Sequence, residues 1–135
     1  MSKSEKLKVE AIVRDAINER FKSNSINSRQ PVAENGPIHE FDIYESGLII
    51  GGVSTGTKVT SGGSSNTGSK DRAAAELLWL SLWQGHEKRV HVLTSKDLAE
   101  WLFNRFNGAT FPFKITILHF DTETKELGEI GTLGI

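Results

Sequence analysis

Cysteine is absent from the chain, which excludes disulfide scaffolds, Cys-based zinc fingers, iron–sulfur clusters and thiol nucleophiles together. An excess of either charge sign is lacking too. Sixteen Lys+Arg stand against seventeen Asp+Glu, and a net charge of −1 with a pI near 6.4 gives no global attraction to polyphosphate or anionic lipid. Any contact with nucleic acid therefore needs a local basic patch. No stretch approaches the ~20 apolar residues of a membrane span, and the opening Met1-Ser-Lys-Ser-Glu-Lys lacks the apolar run of a signal peptide. A cytoplasmic protein that makes no membrane contact is the expectation. Internal repeats of the solenoid kind are missing as well. What remains is 135 residues, 37% hydrophobic and 24% charged. That suits one compact domain, 1–135, with one core that needs neither a disulfide nor a structural zinc.

Periodicity divides the chain into elements. From Glu5 to Phe21, Val9, Ile12, Val13, Ala16, Ile17 and Phe21 recur at three- and four-residue steps, which predicts a helix with one buried stripe and Ser2 or Ser4 as its cap. Ser23–Gly36 is polar and aperiodic and reads as a loop, with a short extended piece at Pro31–Ala33. Ile38–Tyr44 alternates, placing Ile38, Glu40, Asp42 and Tyr44 on one face and His39, Phe41 and Ile43 on the other. Leu48–Ser54 is an uncharged, nearly continuous apolar run, the pattern of a strand covered on both faces. A turn at Glu45-Ser46-Gly47 makes these two a hairpin, with Asp42 facing Gly52 or Ser54. A flexible Gly/Ser/Thr loop, about 55–69, follows, with weak order expected around Ser61–Thr67. Ser69 then caps a helix over Lys70–Gln84 that is apolar nearly all round and so reads as buried. Arg89–Thr94 is a strand, Ser95–Phe106 a helix, and Lys114–Asp121 with Glu126–Leu133 a closing hairpin. The order predicts a single α/β domain whose mixed sheet is flanked by helices.

Several tempting signals are weak in chemical terms. Gly51-Gly52-Val53-Ser54-Thr55-Gly56-Thr57-Lys58 carries the ingredients of a phosphate nest, but in a Walker loop the lysine directly follows the second glycine and opens a helix. Here Thr57 intervenes. His39, His86, His91 and His119 show no pair at helical metal spacing, and Trp79, Trp83 and Trp101 lie among leucines where core packing explains them. Ser54 and Ser81 lack the context of a nucleophile elbow.

One constellation remains: Asp42 near a strand end, the facing strand Leu48–Ser54, and Lys58 or Lys70 beyond it. The phrase His39-Glu40-Phe41-Asp42-Ile43-Tyr44 … Leu48-Ile49-Ile50-Gly51-Gly52-Val53-Ser54, with the order of elements over residues 5–94, resembles the PD-(D/E)XK, or restriction-endonuclease-like, superfamily. The resemblance implies an αβββαβ core. It also implies a first-helix glutamate (Glu10), an aspartate on the first hairpin strand (Asp42), and a Glu-x-Lys on the second. In such enzymes the carboxylates hold a divalent ion, usually Mg²⁺, that polarises the scissile phosphate, while the lysine steadies the nucleophile or the developing charge. This chain departs from the pattern on the second strand. Gly52 stands at the glutamate place and Ser54 at the lysine place, so a side-chain ligand and a cation are both missing there.

Three readings follow. The site is rebuilt, with Glu10 or Glu40 joining Asp42 as metal ligand and Lys58 or Lys70 as the catalytic cation; or cleavage is lost and binding kept; or the likeness is coincidental. Each residue also has an ordinary explanation: Asp42 and Glu40 form a solvated polar face, and Glu10 lies at four-residue steps from Lys6 and Arg14. The functional expectation is a metal-dependent nuclease, or a degenerate relative, acting on nucleic-acid phosphodiesters. The alternative is a non-catalytic interaction domain. It would use Trp101, Phe103 and Phe106 of the Ser95–Phe106 helix, or the terminal hairpin, to form a homodimer or dock a protein. Small-molecule binding by the Gly/Ser/Thr loop is a third, minor option.

Overall fold

The Oγ of Ser2 accepts the Glu5 amide at 3.1 Å, which settles the first cap. In the computed structural model, which describes residues 1–134, helix α1 runs from Lys3 to Phe21 and buries Glu10, Val13 and Ile17. Lys22, at φ 52°, turns the chain out of the helix in the left-handed region.

The polar stretch read as a loop contains strand β1 (Ile26–Pro31). Its sequence, INSRQP, alternates no apolar residues because it is an edge strand with little to bury; its order comes from backbone pairing with β2 (Ile38–Glu45). The turn at Ser46 and Gly47 then leads into β3 (Ile49–Ser54), antiparallel to β2. Helix α2 spans Thr67–Leu82 and is capped by Asn66, whose side chain accepts the Ser69 amide, so it starts three residues before the expected Lys70. Strand β4 (Lys88–Leu93), helix α3 (Lys96–Phe106), β5 (Ile115–Phe120) and β6 (Leu127–Leu133) complete the chain. No helix among the described residues is long and apolar enough to cross a membrane.

The six strands lie side by side in sequence order, β1 to β6; β3, β4 and β5 are parallel, and the other neighbours are antiparallel. Two successive right-handed crossovers stepping in one direction must lay their helices on one face of the sheet. Accordingly, Ala73, Leu77 and Leu80 of α2 and Leu98, Ala99 and Leu102 of α3 share a core with Phe41, Ile50, Leu93 and Ile117. On the opposite face Val13 and Ile17 of α1 pack with Ile43, Ile49, Val53, Val92 and Leu118. The protein is thus a single α/β domain with a mixed sheet flanked by helices.

Three local expectations are corrected. Helix α2 is not buried all round, since Leu78 is 58% and Leu82 40% exposed and one flank faces solvent. The expected flexible stretch closes on itself through a β-bridge between Val59 and Ser65 and a 2.7 Å bond from the Thr60 amide to the Ser64 carbonyl. The alternation of β2 breaks. Phe41 and Tyr44 lie against the α2–α3 core while Ile43 lies against α1, because a bulge inserts one extra residue between them. The aromatics of α3, Trp101, Phe103 and Phe106, are partly buried against the molecule's own core.

Candidate functional site

The bulge determines where Asp42 goes. Ile26 pairs with Tyr44 and Ser28 with Phe41, so Asn27 alone stands against both Asp42 and Ile43. On its other side β2 follows β3 only as far as Ile43 opposite Gly51. Beyond that point the Val53 amide has lost its strand partner, and Asp42 Oδ2 accepts it at 2.8 Å. The Asp42 carbonyl in turn accepts Arg14 Nη1 of α1 at 3.0 Å. A carboxylate has therefore replaced a rung of the ladder at the place where two strands part, and the parting opens a cleft of about 820 Å³.

Four elements contribute to the cleft: Lys6 and Glu10 from α1, His39, Glu40 and Asp42 from β2, Val53 and Ser54 from the end of β3, and Arg72, Glu76 and Trp79 from α2, with Thr55–Thr57 and Asn66 along the rim. Of the residues proposed from sequence, Glu10, Glu40 and Asp42 are brought together here. Lys58 and Lys70 do not line the cleft: Lys58 is exposed, and Lys70 donates to Ser65 Oγ at 2.8 Å and lies over the Trp101 ring. The cationic side chains that do line it are Lys6 and Arg72, with the amino-terminal Met1 beside them.

Glu76 is the residue that sequence reading passed over. A Cβ added to Gly52 would lie 2.3 Å from Glu76 Oε1 and 2.4 Å from its carboxyl carbon. The glycine on the second strand is thus the space into which a carboxylate from α2 descends. Glu76 Oε2 bonds His39 Nε2 at 3.0 Å, and the His39 ring stacks on Trp79 with centroids 4.4 Å apart and planes 8° from parallel. Oε1 is buried and has no hydrogen-bond partner. Two signals for Glu76 were available: it is the sole charged residue between Ala73 and Gln84, and a glycine stood where a ligand was expected.

Crowded carboxylates in a half-dry cleft cannot all ionise freely. Burial, opposed by the Val53 amide and reinforced by the charges of Glu10, Glu76 and Glu40, pushes the Asp42 carboxyl up to about 7. Burial likewise raises Glu10, against the pull of Lys6 and Arg14. Beside the cleft, Ser54 Oγ is 2.7 Å from Nε2 of His91 on β4, and burial lowers this fully enclosed ring to about 4.

The residues fit a hard divalent cation in one respect and not in another. An anionic Asp42 and the unpartnered Glu76 Oε1 are the oxygen donors that Mg²⁺ accepts, and Mg²⁺ commonly takes one or two carboxylates and keeps several waters. A ready-made cage of three or more His, Asp or Glu side chains is not found among the described residues. Protein-family models, curated proteins and solved structures offer no match to this chain.

Proposed function

We propose that the cleft hydrolyses phosphodiester bonds of nucleic acid with the help of a divalent cation, in the manner of the superfamily that the hairpin resembles. The observation that carries this reading is the Glu76 carboxylate standing over Gly52 beside Asp42. It supplies from α2 the acid that the second strand lacks. On this reading the site is rebuilt, but with Glu76 rather than Glu10 or Glu40 as the partner of Asp42, and with Arg72 and Lys6 rather than Lys58 and Lys70 as the cations.

Charge leaves room for a cation. With the Asp42 carboxyl pushed up to about 7, Glu10, Glu40 and Glu76 balance Lys6, Arg72 and the amino-terminal Met1 around the cleft, so no net positive field draws a phosphodiester in unaided. A bound Mg²⁺ or Mn²⁺ would supply Lewis-acid polarisation of the phosphate and a more acidic water. Asp42 and Glu76 would hold the cation. His39, stacked on Trp79, steadies the carboxylate of Glu76. Arg72, at the first turns of α2, offers its guanidinium to a non-bridging phosphate oxygen.

The test is cleavage of labelled single- and double-stranded DNA and RNA with Mg²⁺ or Mn²⁺, alongside calorimetric titration of Mn²⁺. Asp42→Ala and Glu76→Gln are each expected to abolish cleavage and weaken Mn²⁺ binding at least tenfold while the protein stays folded. A wild-type protein that neither binds Mn²⁺ nor cuts any of these substrates at high enzyme concentration sinks the reading, and a concentration-dependent dimer in the same preparation would favour an interaction domain.

A further inference from the structure

Helix α2 presents three kinds of chemistry to the cleft in one stripe. Arg72, Glu76 and Trp79 stand at i, i+4 and i+7, so one face of the helix carries a guanidinium, a carboxylate and an indole in line over roughly 10 Å. The hydrolytic reading uses the first two and gives the indole only the task of backing His39. Yet Trp79 and His39 are the two aromatic rings among the residues that line the cleft.

Core packing accounts for only part of Trp79. The ring is partly buried against the α2–α3 core, with His39 stacked on one face at 4.4 Å between centroids, and His39 in turn meets the fully buried Phe41 at 84°. The aromatic series thus starts in the core and ends at the cleft wall. Long helical side chains lean back over the preceding turn, and one turn before Trp79 stands Ala75, exposed and itself lining the cleft. A methyl group cannot cover an indole, so the ring stays open there. Its N–H is open as well. Trp83 spends the equivalent group on Glu87 Oε1 at 2.8 Å, whereas that of Trp79 has no partner among the described residues and is not enclosed.

An open indole beside groups suited to a phosphate and its cation fits a flat heteroaromatic ring. Bases within a duplex are covered on both faces by their neighbours and show only their edges, so an unpaired nucleotide is the one that can use the indole. The cleft, about 820 Å³, is the size of a small-molecule site, which takes a nucleotide or two rather than two paired strands.

We propose that Trp79 stacks an unpaired nucleobase next to the scissile phosphate, so that the cleft acts on single-stranded nucleic acid. This rests on the hydrolytic reading above. The stripe on α2 then matches one nucleotide from end to end, with the phosphate toward Arg72, the cation at Glu76 and the base on Trp79. Every base has a π-face, so the ring selects by strandedness and not by base identity.

Anisotropy of short fluorescein-labelled oligonucleotides in Ca²⁺, with cleavage of the same strands in Mn²⁺, tests this. Three forms are compared: single-stranded, annealed to the complement, and a sugar-phosphate chain of the same length without bases. Wild type is expected to bind the intact single strand about five- to 150-fold more tightly than the baseless chain, and at least fivefold more tightly than the duplex. Trp79→Leu should bind the intact and baseless strands alike, and Trp79→Phe should keep most of the difference. Pairing base removal with ring removal isolates the stack from any indirect effect on Glu76 through His39. Equal wild-type affinity for the intact and baseless strands, tighter binding of the duplex, or a Trp79→Leu protein that still tells the two strands apart overturns the inference, and cleavage in Mn²⁺ would then leave the hydrolytic reading standing. Base-dependent binding without cleavage strikes the hydrolytic reading alone and leaves Trp79 as a base platform. A protein that binds none of the three forms overturns both.

Discussion

Asp42 is the residue on which the site turns, and its environment has a thermodynamic consequence that needs no substrate. The carboxyl titrates near 3.8 in an unfolded chain and is pushed up to about 7 here, chiefly by burial. Between those values the native state holds a proton that the unfolded state has released, so the Asp42 contribution to stability is greatest at acid pH and falls as pH rises through this window, while His91, whose ring is lowered by burial to about 4, contributes in the opposite sense as pH falls. The loss is on the order of a few kcal/mol once pH exceeds 7. Asp42→Asn keeps an oxygen for the Val53 amide and cannot ionise, so its Tm in EDTA should exceed that of wild type by more at pH 8 than at pH 5. Equal differences at both pH values would show that the carboxyl is not held protonated. The neighbouring glycines allow a second comparison. A Cβ on Gly51 would lie 2.3 Å from the Val90 carbonyl oxygen, which is backbone in the centre of the sheet, whereas a Cβ on Gly52 meets only the movable end of Glu76. Gly51→Ala should therefore cost roughly 3 kcal/mol or more in urea denaturation. Gly52→Ala should cost much less and instead displace the Glu76 carboxylate, read as lost Mn²⁺ affinity. From sequence Asp42 was visible because it lies at the strand position where the hairpin's resemblance calls for an aspartate. Glu76 was not, because in one dimension it is only a polar interruption in a leucine-rich helix.

At the scale of elements, one side chain makes most of the polar contacts at the join between α2 and β4, where Glu87 also accepts the Trp83 indole N–H. Arg89, 4% exposed, donates to the carbonyls of Leu80, Trp83, Gly85 and Glu87, and its guanidinium stacks 3.7 Å from the Phe113 ring centroid. The Leu80 and Trp83 carbonyls are among those that the end of α2 leaves unpaired, and Gly85 and Glu87 belong to the connection that follows. Arg89→Met keeps much of the volume and removes every donor, so it should destabilise by about 3–5 kcal/mol in equilibrium urea unfolding. A loss below ~1 kcal/mol would show that water replaces the guanidinium there. The helices and the inner strands were legible because their apolar periods are strong: α1, α3, β3, β4 and the closing hairpin lie within a few residues of where pattern places them. Strand β1 was not legible, since an edge strand is ordered by its neighbour's hydrogen bonds and carries no alternating signal of its own. The bulge in β2 was equally hidden. Its alternation reads as unbroken from Ile38 to Tyr44, and only the pairing with β1 shows Ile43 turned to the opposite face.

For the molecule as a whole, the cleft couples the two helical layers across the sheet, since α1 lines it from one side and α2 from the other. A ligand bound there by the native state alone must raise global stability. Mn²⁺ at a hundredfold excess over its dissociation constant should add about 2.7 kcal/mol, seen as a Tm increase that EDTA reverses and that Asp42→Ala abolishes. No metal-dependent change in wild-type Tm at millimolar Mn²⁺ would count against a cation in the cleft. Residue order alone determined the layered α/β class, the succession of elements apart from the edge strand β1, and an acid at the mouth of the hairpin. Periods of hydrophobicity and turn chemistry are local properties, and right-handed crossovers leave few ways to assemble them. The tertiary structure alone decided which groups share that mouth. The bulge re-aimed Asp42, the space above Gly52 admitted Glu76 from 24 residues further along the chain, and the parallel pairing of β3 with β4 set His91 beside Ser54. Such encounters depend on register and close approach between distant segments, which no window of the sequence contains.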